Sequence, residues 1–217
     1  MNASDSKYIP KSYSAKEESL NVYSHGLGFV LSIVALVLLI LRAVQYGDAW
    51  HIVSFGIYGV SMIVLYLAST LFHAARNPVR RRRLNIFDHA SIFILIAGTY
   101  TPYLMVTLNG AWGWSLFGVV WGIAIVGVVL KIFYTGRFRL ASTIMYLLMG
   151  WVIIVAIKPL LNNLAADGLW LLALGGVFYS IGAALYMIPK IPYNHAIFHL
   201  LVLLGSASHF LSIYYFV

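Results

Sequence analysis

Long stretches without charged residues divide this chain, and each is about as long as a membrane-spanning helix. A helix needs about 20 apolar residues to cross roughly 30 Å of hydrocarbon. The turn signal Asn109-Gly110 splits the longest charge-free interval, so the pattern predicts seven spans. They lie between Glu18 and Arg42, at about 49–75, 86–107 and 112–133, between Arg139 and Lys158, between Asp167 and Lys190, and from about Tyr193 to the C-terminus.

The composition excludes a soluble protein. Hydrophobic residues make up 62% of the 217 positions and charged residues only 9%, with a mean hydropathy of +0.89. Soluble domains are about one quarter charged. The chain has no cysteine, which excludes disulfides, thiolate metal sites and a cysteine nucleophile. We therefore expect an all-α membrane protein with a polar cytoplasmic arm at 1–19 and a seven-transmembrane helix bundle at 20–217.

The basic residues are unevenly divided between the two sides of the predicted membrane. Only Arg42 and Lys158 lie on one side, and the other 12 lie on the side of the N-terminus. The positive-inside rule then places the N-terminus in the cytoplasm and the C-terminus outside a plasma membrane. We accordingly assign the net charge of +8 to topology rather than to nucleic-acid binding. Anionic lipid head groups are a further candidate partner for the run Arg80, Arg81, Arg82 and Arg83.

Four ionisable residues inside the spans converge on one predicted depth. His73 lies near the end of the second span, Asp88 near the start of the third, and His195 and His199 near the start of the seventh. At about 1.5 Å per residue, all four lie roughly 5 to 14 Å from the cytoplasmic boundary. Such residues are costly in a membrane and usually face the interior of the bundle. Ser69 lies one turn deeper than His73 on the same helix face.

Three imidazoles and a carboxylate at one depth are a typical zinc-binding set. A catalytic zinc has three protein ligands and a water molecule, and the spacing of His195 and His199 lets one helix supply two ligands. Asp88 is either a direct ligand or a group that holds the bound water, and it is our candidate general base. Ser69 either donates a hydrogen bond to the developing oxyanion or bonds the carbonyl one turn earlier. Without thiolates, the donor set favours zinc over iron or manganese.

Several stretches of the chain resemble one protein family in both composition and order. They are Glu18-x-x-Asn21-x-x-x-His25-x-x-Gly28, Ser69-Thr-Leu-Phe-His73, Asp88-His89, Leu95-Ile-Ala-Gly-Thr-Tyr-Thr-Pro102, His195-Ala-Ile-Phe-His199 and His209-Phe210. Together they resemble the progestin and adipoQ receptor family, in particular its bacterial hemolysin III branch.

The resemblance implies a bacterial seven-helix protein with a cytoplasmic N-terminus and a zinc ion held at His73, His195 and His199. It also implies that Asp88 contacts the metal through water. Ser69 matches a serine of the wider superfamily, which includes the alkaline ceramidases and is associated with metal-dependent hydrolysis.

Three functions are compatible with these residues. The leading hypothesis is a zinc-dependent hydrolase that cleaves an amide or ester of a membrane lipid. A second is a non-enzymatic receptor or sensor in which four fixed ligands close the zinc site. The third is a pore-forming cytolysin, which ranks lowest because the spans show no polar stripe long enough to line a channel.

The charge distribution generates a testable orientation. We expect alkaline phosphatase fused after Val217 to be active outside the cytoplasm, and the same reporter inserted at residues 80–83 to be inactive, because basic loops stay inside. A fluorescent protein that matures only in the cytoplasm provides the complementary measurement at both positions. A cytoplasmic C-terminus would contradict the predicted orientation.

Overall fold

The computed structural model describes residues 10–217, and residues 1–9 of the predicted arm, including Lys7, lie outside the described residues. The described part is helical and contains no strand. Seven of its helical segments are long and apolar enough to span a membrane, which confirms the predicted fold class. The α-helices are α1 (Ala15–Tyr46), α2 (Ala49–Ala74), α3 (Pro78–Pro102), α4 (Gly110–Tyr134), α5 (Arg139–Gly150), α6 (Ile157–Asn163), α7 (Ala166–Tyr186) and α8 (Asn194–Phe216).

Two helices begin earlier than the charge-free intervals suggest. Helix α1 starts at Ala15, within the segment assigned to the arm, because the Ser14 side chain accepts a hydrogen bond from the Glu17 amide. Helix α3 starts at Pro78, where the Asn77 side chain caps the first turn. Charges are excluded from the hydrocarbon but not from a helix that extends beyond it, so charge-free intervals mark the membrane rather than the helix ends.

The packing order of the helices brings three helix ends together. Helix α1 packs against α2 and α8, α3 packs against α2 and α4, and α7 packs against α8. As a result, the start of α1, the end of α2 and the start of α8 meet at one end of the bundle, which we call the site end. At the opposite end, Trp50 and Trp114 form an edge-to-face pair with ring centroids 5.6 Å apart, as is typical of residues at a membrane interface.

The fifth span is interrupted, unlike the continuous helix that its composition predicts. Between α5 and α6 the chain forms a short 3₁₀ segment, Val152–Ala156. The Tyr100 hydroxyl lies 3.0 Å from the carbonyl oxygen of Met149 and 2.7 Å from that of Gly150, and it accepts the Ile153 amide at 3.2 Å. Backbone groups inside a membrane need partners within the protein. Tyr100 on α3 therefore supplies the partners that the broken helix lacks.

One face of α1 is buried and carries small and polar residues. Asn21, His25 and Gly28 face the bundle interior, whereas Leu27 and Val30 on the other face are exposed. A Cβ atom at Gly28 would lie 2.6 Å from Tyr66 Cδ1 and 2.8 Å from a Leu203 methyl carbon. Glycine is therefore required where α1 approaches α2 and α8 most closely.

We expect Gly28→Ala to lower the free energy of unfolding of the purified protein by about 1–3 kcal/mol, because the added methyl group overpacks this contact. Thermal unfolding in detergent measures the change. Gly26→Ala is the matched control on the same helix, since a Cβ atom there meets only Thr70 Cγ2 at an ordinary 3.8 Å. Equal stability of the two variants would show that α1 does not pack this closely.

Candidate metal centre

Three buried histidines converge at the site end of the bundle. His73 lies in the last turn of α2, and His195 and His199 lie in the first two turns of α8. The Nε2 atom of His195 lies 3.0 Å from Nε2 of His73 and 3.1 Å from Nε2 of His199. Their exposed fractions are 4%, 6% and 1% in chain order. One ligand atom from each residue lies within 4.8 Å of the others, so the three could hold one ion.

The hydrogen bonds on the far side of two rings favour bare nitrogens in the middle. His73 Nδ1 lies 2.7 Å from the Glu18 carboxylate, which can only accept, so a neutral ring carries its proton on Nδ1 and leaves Nε2 bare. His199 Nδ1 lies 3.3 Å from the Ser24 hydroxyl, which donates its own proton to the Asn21 carbonyl. Two bare nitrogens therefore face His195, whose single Nε2 proton could satisfy at most one of them.

A divalent cation would be bound by all three converging nitrogens, whereas a single proton on His195 leaves one of the other two without a partner. Tetrahedral zinc with Zn–N distances of about 2.0–2.1 Å separates its nitrogen ligands by about 3.3 Å. Two of the three observed separations, 3.0 and 3.1 Å, are close to that value, and all three donor atoms lie within 4.8 Å of one another. The donor set and the two short separations therefore fit zinc.

Glu18 joins the cluster to the neighbouring helices. One of its carboxylate oxygens contacts His73, and the other pairs with Arg81 on α3. Arg81 also donates hydrogen bonds to the carbonyl oxygens of Phe72 and Ala75 at the end of α2. One arginine of the basic run is thus turned toward the site, where it holds the carboxylate that orients His73.

Aromatic rings cover two of the histidines. His25 stacks on His199 with ring centroids 3.5 Å apart and an interplanar angle of 7°. Tyr13 stacks on His195 at 4.6 Å and 20°. Tyr13 precedes the first span, and burial raises the pKa of its phenol well above the usual value, so the ring is neutral at physiological pH. Part of the predicted arm therefore packs against the site.

Asp88 and Ser69 border a cavity that also reaches His195 and His199. The cavity has a volume of about 400 Å³ and is lined mainly by residues of α2, α3, α5, α7 and α8, with one residue each from α1 and α4. Asp88 is not among the three residues whose donor atoms converge. Ser69 is buried, and its Oγ has no hydrogen-bond partner within residues 10–217, so it does not bond the carbonyl one turn earlier. Both side chains are placed to meet a molecule inside the cavity.

Sequence reasoning missed the roles of Glu18, Ser24 and Tyr13. Glu18, Asn21 and His25 are spaced three and four residues apart, which places them on one face of a helix. That spacing was a usable signal that the start of α1 faces the bundle interior. It could not show which histidine Glu18 contacts, because the partner depends on how α1 is rotated against α2.

The fold and the site together define a seven-span membrane protein with a buried tri-histidine cluster at one end. The chain belongs to the Haemolysin-III related family, whose sequence profile matches residues 13–210. Hemolysin-3 of Bacillus cereus is 50% identical over 202 residues, covering 93% of this chain and 92% of the relative. The Hemolysin-3 homolog of Bacillus subtilis (strain 168) is 50% identical over 204 residues, covering 94% and 96%.

A more distant relative is the human Monocyte to macrophage differentiation factor, which is 28% identical over 214 residues. The matched region covers 96% of this chain and 86% of the relative. The resemblance to the hemolysin III branch is therefore confirmed. The family and the seven spans indicate a multi-pass membrane protein of bacterial type.

We expect Glu18→Gln to weaken zinc binding about 10- to 100-fold, because an amide cannot hold the His73 proton as a carboxylate does. Zinc content after dialysis against graded chelator measures the change, and His199→Ala sets the level for complete loss. Glu17→Gln is the matched control, since the amide oxygen it introduces can still accept the His195 amide proton that Glu17 Oε1 accepts at 3.3 Å. Unchanged affinity in Glu18→Gln would remove the orienting role of Glu18.

Proposed function

We propose that this protein is a zinc-dependent hydrolase that cleaves an amide or ester bond of a membrane lipid. The observation that carries the proposal is the number of protein ligands. Three histidines converge, and no fourth His, Asp or Glu donor in residues 10–217 joins them. Three protein ligands with one open position are typical of catalytic zinc sites, whereas structural sites have four.

The chain supplies the residues that hold and orient the metal. His73, His195 and His199 would be the ligands, and Glu18 and Ser24 fix the ring orientations of two of them. When bound, zinc would polarise a carbonyl group and lower the pKa of water to about 7.

Asp88 is the proposed general base. It is the one carboxylate among the described residues that line the cavity, and its own side chain is only 13% exposed. A carboxylate there would accept a proton from the attacking water and later pass it to the leaving group. His89 Nδ1, which lies 3.7 Å from Asp88 Oδ2, donates its proton to the Asn85 carbonyl at 2.9 Å. Asp88 therefore keeps lone pairs available for water.

Ser69 is the proposed donor to the substrate carbonyl oxygen. Its hydroxyl is buried, borders the cavity and has no partner in the described part of the protein. A hydroxyl that is already free does not have to break a bond before it stabilises a developing negative charge. The same hydroxyl can donate a hydrogen bond to the carbonyl oxygen of an amide or ester, which a simple hydrocarbon chain lacks.

The cavity supports a lipid as the substrate. Beyond the histidines it continues between the helices past Ile96, Leu147 and Val202, which are apolar. Its volume of about 400 Å³ falls within the range of about 300–1,000 Å³ that is usual for ligand sites. Acyl chains already present in the membrane could fill this space without exposing apolar surface to water.

A receptor or sensor is the second candidate. It is favoured by the position of the histidines, because an ion held by them would link α2 to α8 and, through Glu18, to α1. Such a crosslink could transmit a change at the site end to the whole bundle. A cytolytic function rests on the names of the Bacillus relatives, and the outward-facing residues of the spans are mostly apolar rather than polar.

We expect Asp88→Asn to bind nearly normal amounts of zinc at saturating metal but to lose hydrolysis by about 10²- to 10⁴-fold, because an amide cannot accept the proton. Zinc content and turnover of ceramide-like amides and lysolipid esters are measured on the same preparation. Asp167→Asn, an exposed position in the first turn of α7, is the control and should retain full activity.

Turnover that depends on zinc and survives Asp88→Asn would contradict the role of Asp88 while leaving the metal site intact. Absence of turnover on every lipid tested, with zinc fully coordinated by protein groups, would favour the sensor.

A further inference from the structure

A buried lysine near the end of α4 has no acidic partner in the described part of the chain. Lys131 is only 5% exposed, and its Nζ donates a hydrogen bond to the Ser142 hydroxyl at 2.7 Å. None of the ion pairs formed within residues 10–217 involves it. A buried ammonium group with one neutral partner retains two donors and most of its desolvation cost. Its charge is therefore available for an anion.

Lys131 borders the same cavity as His195 and His199, in a region rich in positive charge. Lys11, Arg137 and Arg139 line the cavity as well, whereas Asp88 is the one described carboxylate that does so. Arg139 is held in place, since its guanidinium stacks 4.1 Å from the Tyr186 ring and donates a hydrogen bond to the Tyr186 carbonyl at 2.7 Å. The cavity wall thus combines an apolar interior with a group of cations around the α4–α5 turn.

The position of Lys131 in the last turn of α4 gives one reason for a cation there. Helix carbonyl groups at a C-terminus favour positive charge. This effect does not account for the direction of the side chain, which meets Ser142 on α5 and lies 5.7 Å from the Tyr146 ring, both of which line the cavity. A lysine that served only the helix end would place its ammonium group in water or among the lipid head groups.

We propose that Lys131, with Arg137 and Arg139, binds the anionic head group of a lipid whose hydrocarbon chain occupies the cavity. The ligand is an amphiphile that carries a phosphate or carboxylate group, and it is the substrate or product of the hydrolysis. The inference rests on the proposed function for the identity of that amphiphile, but binding itself requires no reaction. It narrows the substrate class from lipids in general to anionic lipids.

Binding of three amphiphiles with the same chain tests the proposal. Hexadecyl phosphate, hexadecanoate and hexadecanol are added to the zinc-loaded full chain in neutral detergent, and native mass spectrometry gives the fraction of protein that carries each. We expect the phosphate to bind at least about tenfold more tightly than the alcohol, as a charge-assisted hydrogen bond would produce. Lys131→Met should remove most of this preference, and Lys131→Arg should keep it.

Lys190→Met is the matched control. Lys190 is an exposed cation in the turn before α8 that does not line the cavity, so its loss changes the net charge equally but should not change the preference. Thermal unfolding establishes that each variant is folded. If Lys131→Met does not fold, Arg139→Met provides the second test, with a smaller expected loss of preference.

Equal binding of the phosphate and the alcohol, or an unchanged preference in a folded Lys131→Met, would overturn the proposal. Inorganic phosphate that binds as tightly as hexadecyl phosphate would also overturn it, because the occupant would then be a free anion. Failure of the proposed function gives a different result, in which no lipid is hydrolysed although the Lys131-dependent preference remains. Hydrolysis of neutral and anionic lipids at equal rates, with no effect of Lys131→Met, would remove this inference alone.

Discussion

A buried imidazole presents an unprotonated nitrogen to a metal most readily when its other nitrogen has an acceptor for the proton. Of the three converging rings, His73 and His199 have such an acceptor, whereas His195 Nδ1 has no hydrogen-bond partner within residues 10–217. In this protein the acceptors come from α1, which carries none of the three converging histidines. Glu18 accepts from His73, and Ser24 accepts from His199. The first helix must therefore pack closely against α2 and α8, and Gly28 permits this approach where any side chain would meet Tyr66. The chemistry of the site depends on a helix–helix contact that lies about one turn beyond Ser24 and nearly three turns beyond Glu18 along α1.

Much of the fold was predictable from the sequence because the membrane imposes one dominant penalty. A charge inside hydrocarbon is so costly that the charge-free intervals reveal the seven spans. The same penalty makes His73, His195 and His199 conspicuous, and the regular helical rise places them at one depth. Their convergence followed from these two facts alone. Helix ends were less predictable, because Arg81 and its neighbours lie in a helical turn outside the hydrocarbon that no hydropathy pattern marks.

The remaining features depend on tertiary contacts that a pattern cannot encode. The break in the fifth span is stabilised by Tyr100, a residue of another helix. In the sequence Arg81 is one member of a basic run, whereas in the structure it pairs with Glu18. The cavity lies where α5 packs only loosely against α3 and α7, and its cations come from the α4–α5 turn as well as from the segment before α1. Each of these depends on how helices are rotated and spaced, which the periodicity of one helix leaves undetermined.

The stacking of Tyr13 on His195 has a kinetic consequence. The segment around Tyr13 is held at its amide by Glu18, at 3.2 Å, and at the Lys11 carbonyl by Arg81, also at 3.2 Å. Glu18 and Arg81 thus orient a metal-binding ring and also close one path by which an ion would leave. Disturbing this pair would accelerate metal exchange and lower affinity together. A long residence time of the ion would then measure how firmly this segment is held, as well as how strongly the histidines bind.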